Sequence, residues 1–341
     1  MNENNTDKKV NTKKRLRHLA NFAGFVIILI IMINILTWIL RGNDINTRQL
    51  IKGYKNVQGD IDVAFVGASN VSQFIMPLKA YNDYGFTSYD IAPTAALYDM
   101  LRYEVEFVKS TKAPHLYVIS VNYVFEDIYE QVIRNFSDSL SLFSPIRFRT
   151  LNYVLGIRDI AGQEIFPYYF DLAKYHSNLY LLKSPEQYEL LSWDYVHPYM
   201  GYFVYLDSEY EPFIRPERTD EAGTLTDFQR KILVDLLDYC RQEDLNVLFL
   251  NAVNISSLEA QKSFNAAAEL IREYGYEVLN TNDYYDEIGL DFGTDFRDNN
   301  HLTCVGAEKY TAFISAYLHE NYDLPDHRGE AGYSSWDEAY V

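Results

Sequence analysis

The 341-residue sequence predicts an α/β protein built on a parallel sheet and preceded by a single membrane-spanning helix. Three observations predict it. Short apolar runs without polar alternation recur along the chain, as in strands buried on both faces. Amphipathic stretches of helical period separate them, the rhythm of βαβ units. One long apolar stretch near the N-terminus belongs to neither pattern.

That stretch runs from Ala20 to Leu40, interrupted by Asn21, Asn34 and Thr37, with Trp38 near its end. A helix crossing a bilayer needs ~20 apolar residues. The arm before it, residues 1–19, carries Lys8, Lys9, Lys13, Lys14, Arg15 and Arg17, whereas only Arg41 stands close behind. The positive-inside rule therefore keeps the N-terminus cytoplasmic. A cleaved signal peptide has a shorter apolar core and a small-x-small site, but this segment ends Leu36-Thr37-Trp38-Ile39-Leu40-Arg41. Residues 20–41 thus read as an uncleaved signal anchor of a single-pass cell-membrane protein, with the bilayer around them and the C-terminal part extracellular.

In the outer part, residues 42–322, strands are expected at Val63–Val66, Tyr89–Ile91, Leu116–Val121, Val247–Leu250 and, more weakly, Glu277–Leu279. Helices are expected over Ala95–Lys109, Asp227–Arg241, Leu258–Tyr274 and Gly306–Glu320. The rhythm breaks at about residues 126–224, where Pro145, Pro167, Pro185, Pro198, Pro212 and Pro216 punctuate an aromatic segment that reads as an inserted cap. The polar stretch 323–341 reads as a flexible tail.

The chain has a net charge of −18. Setting aside the six basic and two acidic residues of the first twenty leaves 24 basic against 46 acidic, a charge of −22. Such a surface repels nucleic acid, so no nucleic-acid partner is expected. Cys240 and Cys304 are the two cysteines, which excludes a disulfide framework. No His-Glu-x-x-His or clustered Cys/His set appears, and neither a metal nor another cofactor is expected.

The chemistry is suggested by two motifs. The first expected strand ends in Gly67-Ala68-Ser69-Asn70, and Asp298-Asn299-Asn300-His301 lies just before the last expected helix. A serine hydroxyl becomes a competent nucleophile when a neighbouring base takes its proton. His301 fits that base, and a carboxylate three residues earlier fits the group that fixes its tautomer. Each motif alone has a plainer reading: Gly-x-Ser as a turn with a helix cap, and Asp-x-x-His as a cap with a surface histidine. Cys304 is a weaker alternative nucleophile, since a residue three beyond the base turns into the helix. Ligand crevices of open parallel sheets lie beyond the carboxyl ends of the strands. Asn122, Asn251 and Asn254 follow two such strands and are expected at one crevice, although Asn122 also reads as a turn residue. The run Tyr195 to Tyr205, with Tyr199 and Tyr202, offers faces for stacking on sugar rings or, equally, a core for the insertion itself.

In its order of motifs the chain resembles the SGNH (GDSL-like) hydrolase superfamily: a serine after the first strand, then Ala92, then Asn122, then Asp298 and His301. The anchor, the run Asp62 to Asn70, and Asp298 to Leu302 followed by Gly306-Ala307-Glu308-Lys309-Tyr310 resemble a narrower membrane-anchored group. That group includes the lipoteichoic acid D-alanylation protein DltD and the alginate acetylation proteins. The resemblance covers residues 60–125 and 225–320. It implies a three-layer, flavodoxin-like fold, a triad of Ser69, Asp298 and His301, and an oxyanion hole of the Ser69 and Ala92 N–H groups with the Asn122 side chain. Ala92 stands where the family has glycine. Asn70, a candidate for substrate contact with Asn251, Asn254, Tyr199 and Tyr202, stands where the narrower group often has histidine. The resemblance further implies a membrane-bound O-acyltransferase as partner and a cell-surface polysaccharide as substrate. The expected activity is serine-dependent O-acyl transfer, acetyl or similar, through an acyl-serine. The alternatives are an esterase with the same triad and a non-catalytic polymer-binding partner of the acyltransferase.

Overall fold

A computed structural model describes residues 3–96, 98–122, 130–158, 164–205 and 212–339. In chain order the elements are α1 (Glu3–Leu40), α2 (Ile45–Asn56), β1 (Val63–Val66), α3 (Ser69–Ser72), α4 (Pro77–Tyr84), β2 (Ser88–Ile91), α5 (Leu101–Thr111) and β3 (Leu116–Ser120). Then come α6 (Glu130–Ser137), α7 (Pro145–Ile157), α8 (Phe166–Tyr169), α9 (Leu172–Tyr175), α10 (Pro185–Glu189), α11 (Asp227–Gln242), β4 (Val247–Asn251), α12 (Leu258–Glu273) and β5 (Glu277–Asn280). The chain continues with α13 (Tyr285–Ile288), β6 (Phe296–Asp298), β7 (His301–Leu302), α14 (Cys304–Asn321) and α15 (Ser334–Ala339).

The five central strands form one parallel sheet in the order β2-β1-β3-β4-β5, the order of flavodoxin-like doubly wound folds. β1 to β4 are buried at every position, which is why their sequences lack alternation. Val63, Phe65, Leu116, Val118, Leu248 and Leu250 share one core with Tyr310, Ile314 and Leu318 of α14. Their neighbours in the strands, Ala64, Val66, Tyr117, Ile119 and Phe249, are buried outside that core, as are Val105 and Val108 of α5 and Leu236 and Leu237 of α11. Because successive strand residues point to opposite faces, helices cover both sides of the sheet. The expected strands and helices lie on observed elements, with ends displaced by a few residues. The helix expected from Ala95 begins as a tight turn at Tyr98–Met100 before α5, with Leu97 outside the described residues.

The structure divides into two units: Met1–Gly42 with Glu164–Leu191, and Asn43–Gln163 with Ser192–Val341. Residues 126–224, which read as one insertion in the sequence, are shared between these two units; the expected start near Glu126 lies outside the described residues. In the first unit, Arg41 at the end of α1 pairs with Asp171 (Nε to Oδ2 2.7 Å), both fully buried. Asn178 Nδ2 donates to Leu40 O at 3.2 Å. A buried guanidinium needs such a counter-charge, and breaking a buried pair costs about 3–5 kcal/mol. That need ties 164–191 to α1.

The second unit corrects the expected flexible tail. Residues 323–339 fold back: Trp336 is fully buried, its ring centroid 5.4 Å from that of Tyr81, and its Nε1–H donates to Gln58 O at 3.3 Å. His327 stacks on Tyr333 at 3.9 Å and pairs with Asp62. Polar residues around Tyr333 and Trp336 hide two anchoring rings; residues 340–341 of the expected tail lie outside the described residues.

Candidate active site

Strand β1 delivers Ser69 through a turn that only a glycine accommodates. A Cβ on Gly67 would lie 2.8 Å from Ser120 Cβ and 2.9 Å from Val71 Cγ2, so β1 could not end so close to β3 with any side chain there. Ala68, extended at φ −106°, is the N-cap of α3, and Ser69 is its first helical residue. Ser69 therefore does not serve as the cap, and its Oγ lies 2.8 Å from His301 Nε2, across 232 residues of sequence.

His301 and Asp298 face each other across the β6–β7 antiparallel ribbon. His301 Nδ1 is 2.9 Å from both Asp298 oxygens, and Asp298 Oδ1 also accepts the Asn300 N–H at 2.8 Å, an Asx turn that fixes the carboxylate. The cap of α14 is Thr303, whose hydroxyl accepts the Gly306 N–H, so the capping reading of Asp298 does not hold. Burial by itself would raise the Asp298 pKa. The His301 hydrogen bond, the Asn300 N–H, the imidazole and Arg297, 3.5 Å away, outweigh it and hold the group at about 2. An ionised carboxylate only accepts hydrogen bonds. The Nδ1 proton therefore points at Asp298, and Nε2 is left to accept from the Ser69 hydroxyl.

The strand ends around this pair are linked by amides. Asn122 Oδ1 accepts the Ala252 N–H at 2.8 Å and the Ser120 hydroxyl at 2.7 Å, while its Nδ2 donates to Ala252 O at 2.6 Å. Asn70 Nδ2 donates to Ser120 Oγ at 3.3 Å. Asn122 thus ties β3 to the residue after β4, and one Nδ2 proton remains for other use. Ala92 is buried where β2 ends. Asn251 and Asn254 do not join this group. Asn251 Nδ2 donates to Asn280 Oδ1, whereas Asn254 bonds through its backbone, its N–H donating to Asn282 Oδ1 and its O accepting from Tyr285 OH, and the Ile255 N–H next to it donates to Asn299 O in the Asp298–His301 turn.

Tyr199 and Tyr202 line a cavity of about 320 Å³ with Asn46, Gln49 and the rest of the aromatic run. Its wall bonds or packs on sequence neighbours of Ser69, Asp298 and His301. The Phe203 N–H donates to Ser72 O at 2.6 Å, Tyr202 OH lies 3.7 Å from Cys304 Sγ, and Arg297 sits 4.3 Å over the Tyr205 ring. Cys304 Sγ points to Tyr205 O at 3.1 Å, which occupies the thiol away from His301. His197 Nδ1 accepts the Tyr199 and Gly201 N–H groups, and burial lowers its pKa to about 4, so the ring is neutral with its proton on Nε2. No ionised side chain lines the cavity among the described residues. Ser120 and Arg297 were not singled out from sequence. Arg297's position beside Asp298 was the available signal; for Ser120 only the fold supplies one.

The chain matches no family model, no curated protein and no solved structure.

Proposed function

We propose that this protein is an extracytoplasmic serine O-acyltransferase acting on a cell-surface polysaccharide. The observation that carries the reading is the Ser69–His301–Asp298 relay, 2.8 Å and 2.9 Å long, at the β1 side of the point where the strand order reverses. In the proposed reaction Ser69 Oγ bonds to an ester carbonyl carbon while His301 Nε2 takes the hydroxyl proton. The tetrahedral oxyanion is held by the Ser69 and Ala92 N–H groups and the remaining Asn122 amide proton. The C–O bond to the leaving alcohol then breaks, and the imidazolium protonates that oxygen, leaving an acyl-serine. His301 next takes a proton from an acceptor hydroxyl, which attacks the acyl carbon and releases Ser69.

The cavity bears on the acceptor. Tyrosine faces with amides and hydroxyls, and no ionised lining among the described residues, favour an uncharged sugar over a polyanionic chain, which the acidic protein also repels. The apolar α1 supports a tethered enzyme, with residues 20–41 in the bilayer, the N-terminus cytoplasmic and a membrane-bound O-acyltransferase as the donor's source. A second reading, hydrolysis by an esterase of the same triad, draws support from the solvent reach of Asp298, whose side chain is 48% exposed.

The test is intact-mass measurement of full-length protein in detergent after incubation with an activated acetyl ester, with Ser69→Ala as control. An adduct that needs Ser69, survives in water and discharges onto neutral glycan oligomers supports transfer. Rapid discharge to water supports the esterase. A stably folded protein that never acylates removes both enzymatic readings and leaves the polymer-binding partner.

A further inference from the structure

The first unit holds more than a hydrophobic rod. Large apolar side chains of α1 are exposed from Leu19 to Leu36, whereas Thr37, Ile39, Leu40 and Arg41 are buried. Eighteen helical residues span ~27 Å at ~1.5 Å each, close to the ~30 Å of a bilayer's hydrocarbon core. Burial begins where that core would end. What buries the end of α1 is the segment 164–191, held by the Arg41–Asp171 pair, by Asn178 on Leu40 O, and by packing of α9, α10 and the turn 179–183 on α1.

That same segment exposes large apolar side chains: Phe166 is 66% and Tyr180 69% exposed, and Ile165, Leu179 and Tyr188 are exposed as well. Lys174 and Lys183 lie among them in sequence, as do Glu164, Glu186 and Glu189. A soluble surface rarely gathers so much apolar area, and such a gathering marks an interaction site. Tyrosine rings with a polar edge beside apolar side chains suit the headgroup zone.

We propose that residues 164–191 form an interfacial collar seated in the outer leaflet around the exit of α1, with Phe166, Leu179 and Tyr180 at the boundary between headgroups and acyl chains. This rests on the reading of α1 as a membrane-spanning anchor. The occupant of the exposed face is phospholipid because the segment that carries it packs on the end of α1, whose exposed apolar side chains face lipid in the anchor reading. The collar fixes the depth at which the anchor ends.

The test uses full-length protein in phosphatidylcholine nanodiscs, in a Cys304→Ser background with Cys240 buried. A fluorophore is placed singly through Phe166→Cys, Tyr180→Cys, Ile27→Cys and Ile214→Cys, the last at an exposed site of the second unit. Quenching by lipids brominated near the carbonyl or near the methyl end reports depth. The collar predicts that positions 166 and 180 lose roughly half their signal to shallow bromines, as for groups seated ~5–10 Å into the interface. Position 27 responds to deep bromines and position 214 to neither. If 166 and 180 behave like 214 while 27 is quenched, the collar is wrong and the anchor stands; a protein partner would then be sought for that face. If 27 is not quenched, the anchor reading fails and the collar with it.

Discussion

Replacing Asp298 by asparagine tests the relay with almost no change of shape. Asp298 Oδ1 accepts the Asn300 N–H at 2.8 Å, so the new carboxamide places its oxygen there and its nitrogen at the Oδ2 position. That position is 2.9 Å from His301 Nδ1, so the amide would present an N–H where the carboxylate presented a lone pair. The oxygen kept at Oδ1 is also 2.9 Å from Nδ1, so the amide N–H competes with it for that nitrogen, and where Nδ1 accepts, the ring proton moves to Nε2 and Ser69 faces a donor instead of a base. The analogous tautomer error in a serine protease triad costs ~10⁴ in kcat, and ~10³–10⁴ is expected here, or ~4–5.5 kcal/mol of barrier. Stability should change little, because the Arg297 contact is half exposed and such pairs contribute ~0–1 kcal/mol. The assay is the rate of acyl-serine formation by rapid-quench mass spectrometry, with a thermal scan as fold control. A folded Asp298→Asn protein that acylates within tenfold of the native rate would refute the assignment of Asp298 as the orienting carboxylate.

Three further outcomes follow from the same geometry. Gly67→Ala forces a methyl against Ser120 and Val71, so it should cost ~1–3 kcal/mol in a thermal or urea titration and slow acylation further by displacing Ser69; unchanged stability would mean that β1 and β3 tolerate a wider gap. Trp336→Ala should cost ~3–5 kcal/mol as a core truncation, and a midpoint shift within error would return residues 323–339 to a peripheral role. Asp90, on β2, is fully buried, and burial holds its pKa well above 3.8. A carboxyl whose folded pKa is raised favours the folded state at low pH, and that advantage is lost as pH rises above 3.8 toward the folded value. Asp90→Asn should therefore raise Tm at neutral pH and confer no gain near pH 3.8, so a gain independent of pH would contradict this origin.

The sheet was legible because its signal is local. Val63–Val66 and Val247–Leu250 read as doubly buried strands from composition, and α11 carries its capping box in Thr226 and Gln229. Ser69, Asp298 and His301 were legible as two motifs, although neither could be told from a helix cap until Ala68 and Thr303 took the capping roles. Trp336 was missed because one buried ring leaves no period in a polar segment. The bond from Asn251 to Asn280 was not legible, because a strand end fixes where a residue sits but not which neighbour its amide finds.

By itself the sequence determined the α/β class, the apolar helix near the N-terminus, and which serine, histidine and aspartate to look for as a proposed relay. These depend on residue type and on spacing within a few residues. The tertiary structure decided what depends on pairing at long range: the 2.8 Å meeting of Ser69 with His301, the binding of Asn122 to Ala252, and the burial of Arg41 against Asp171. Each joins segments more than a hundred residues apart, and their approach is set by the packing of the whole chain.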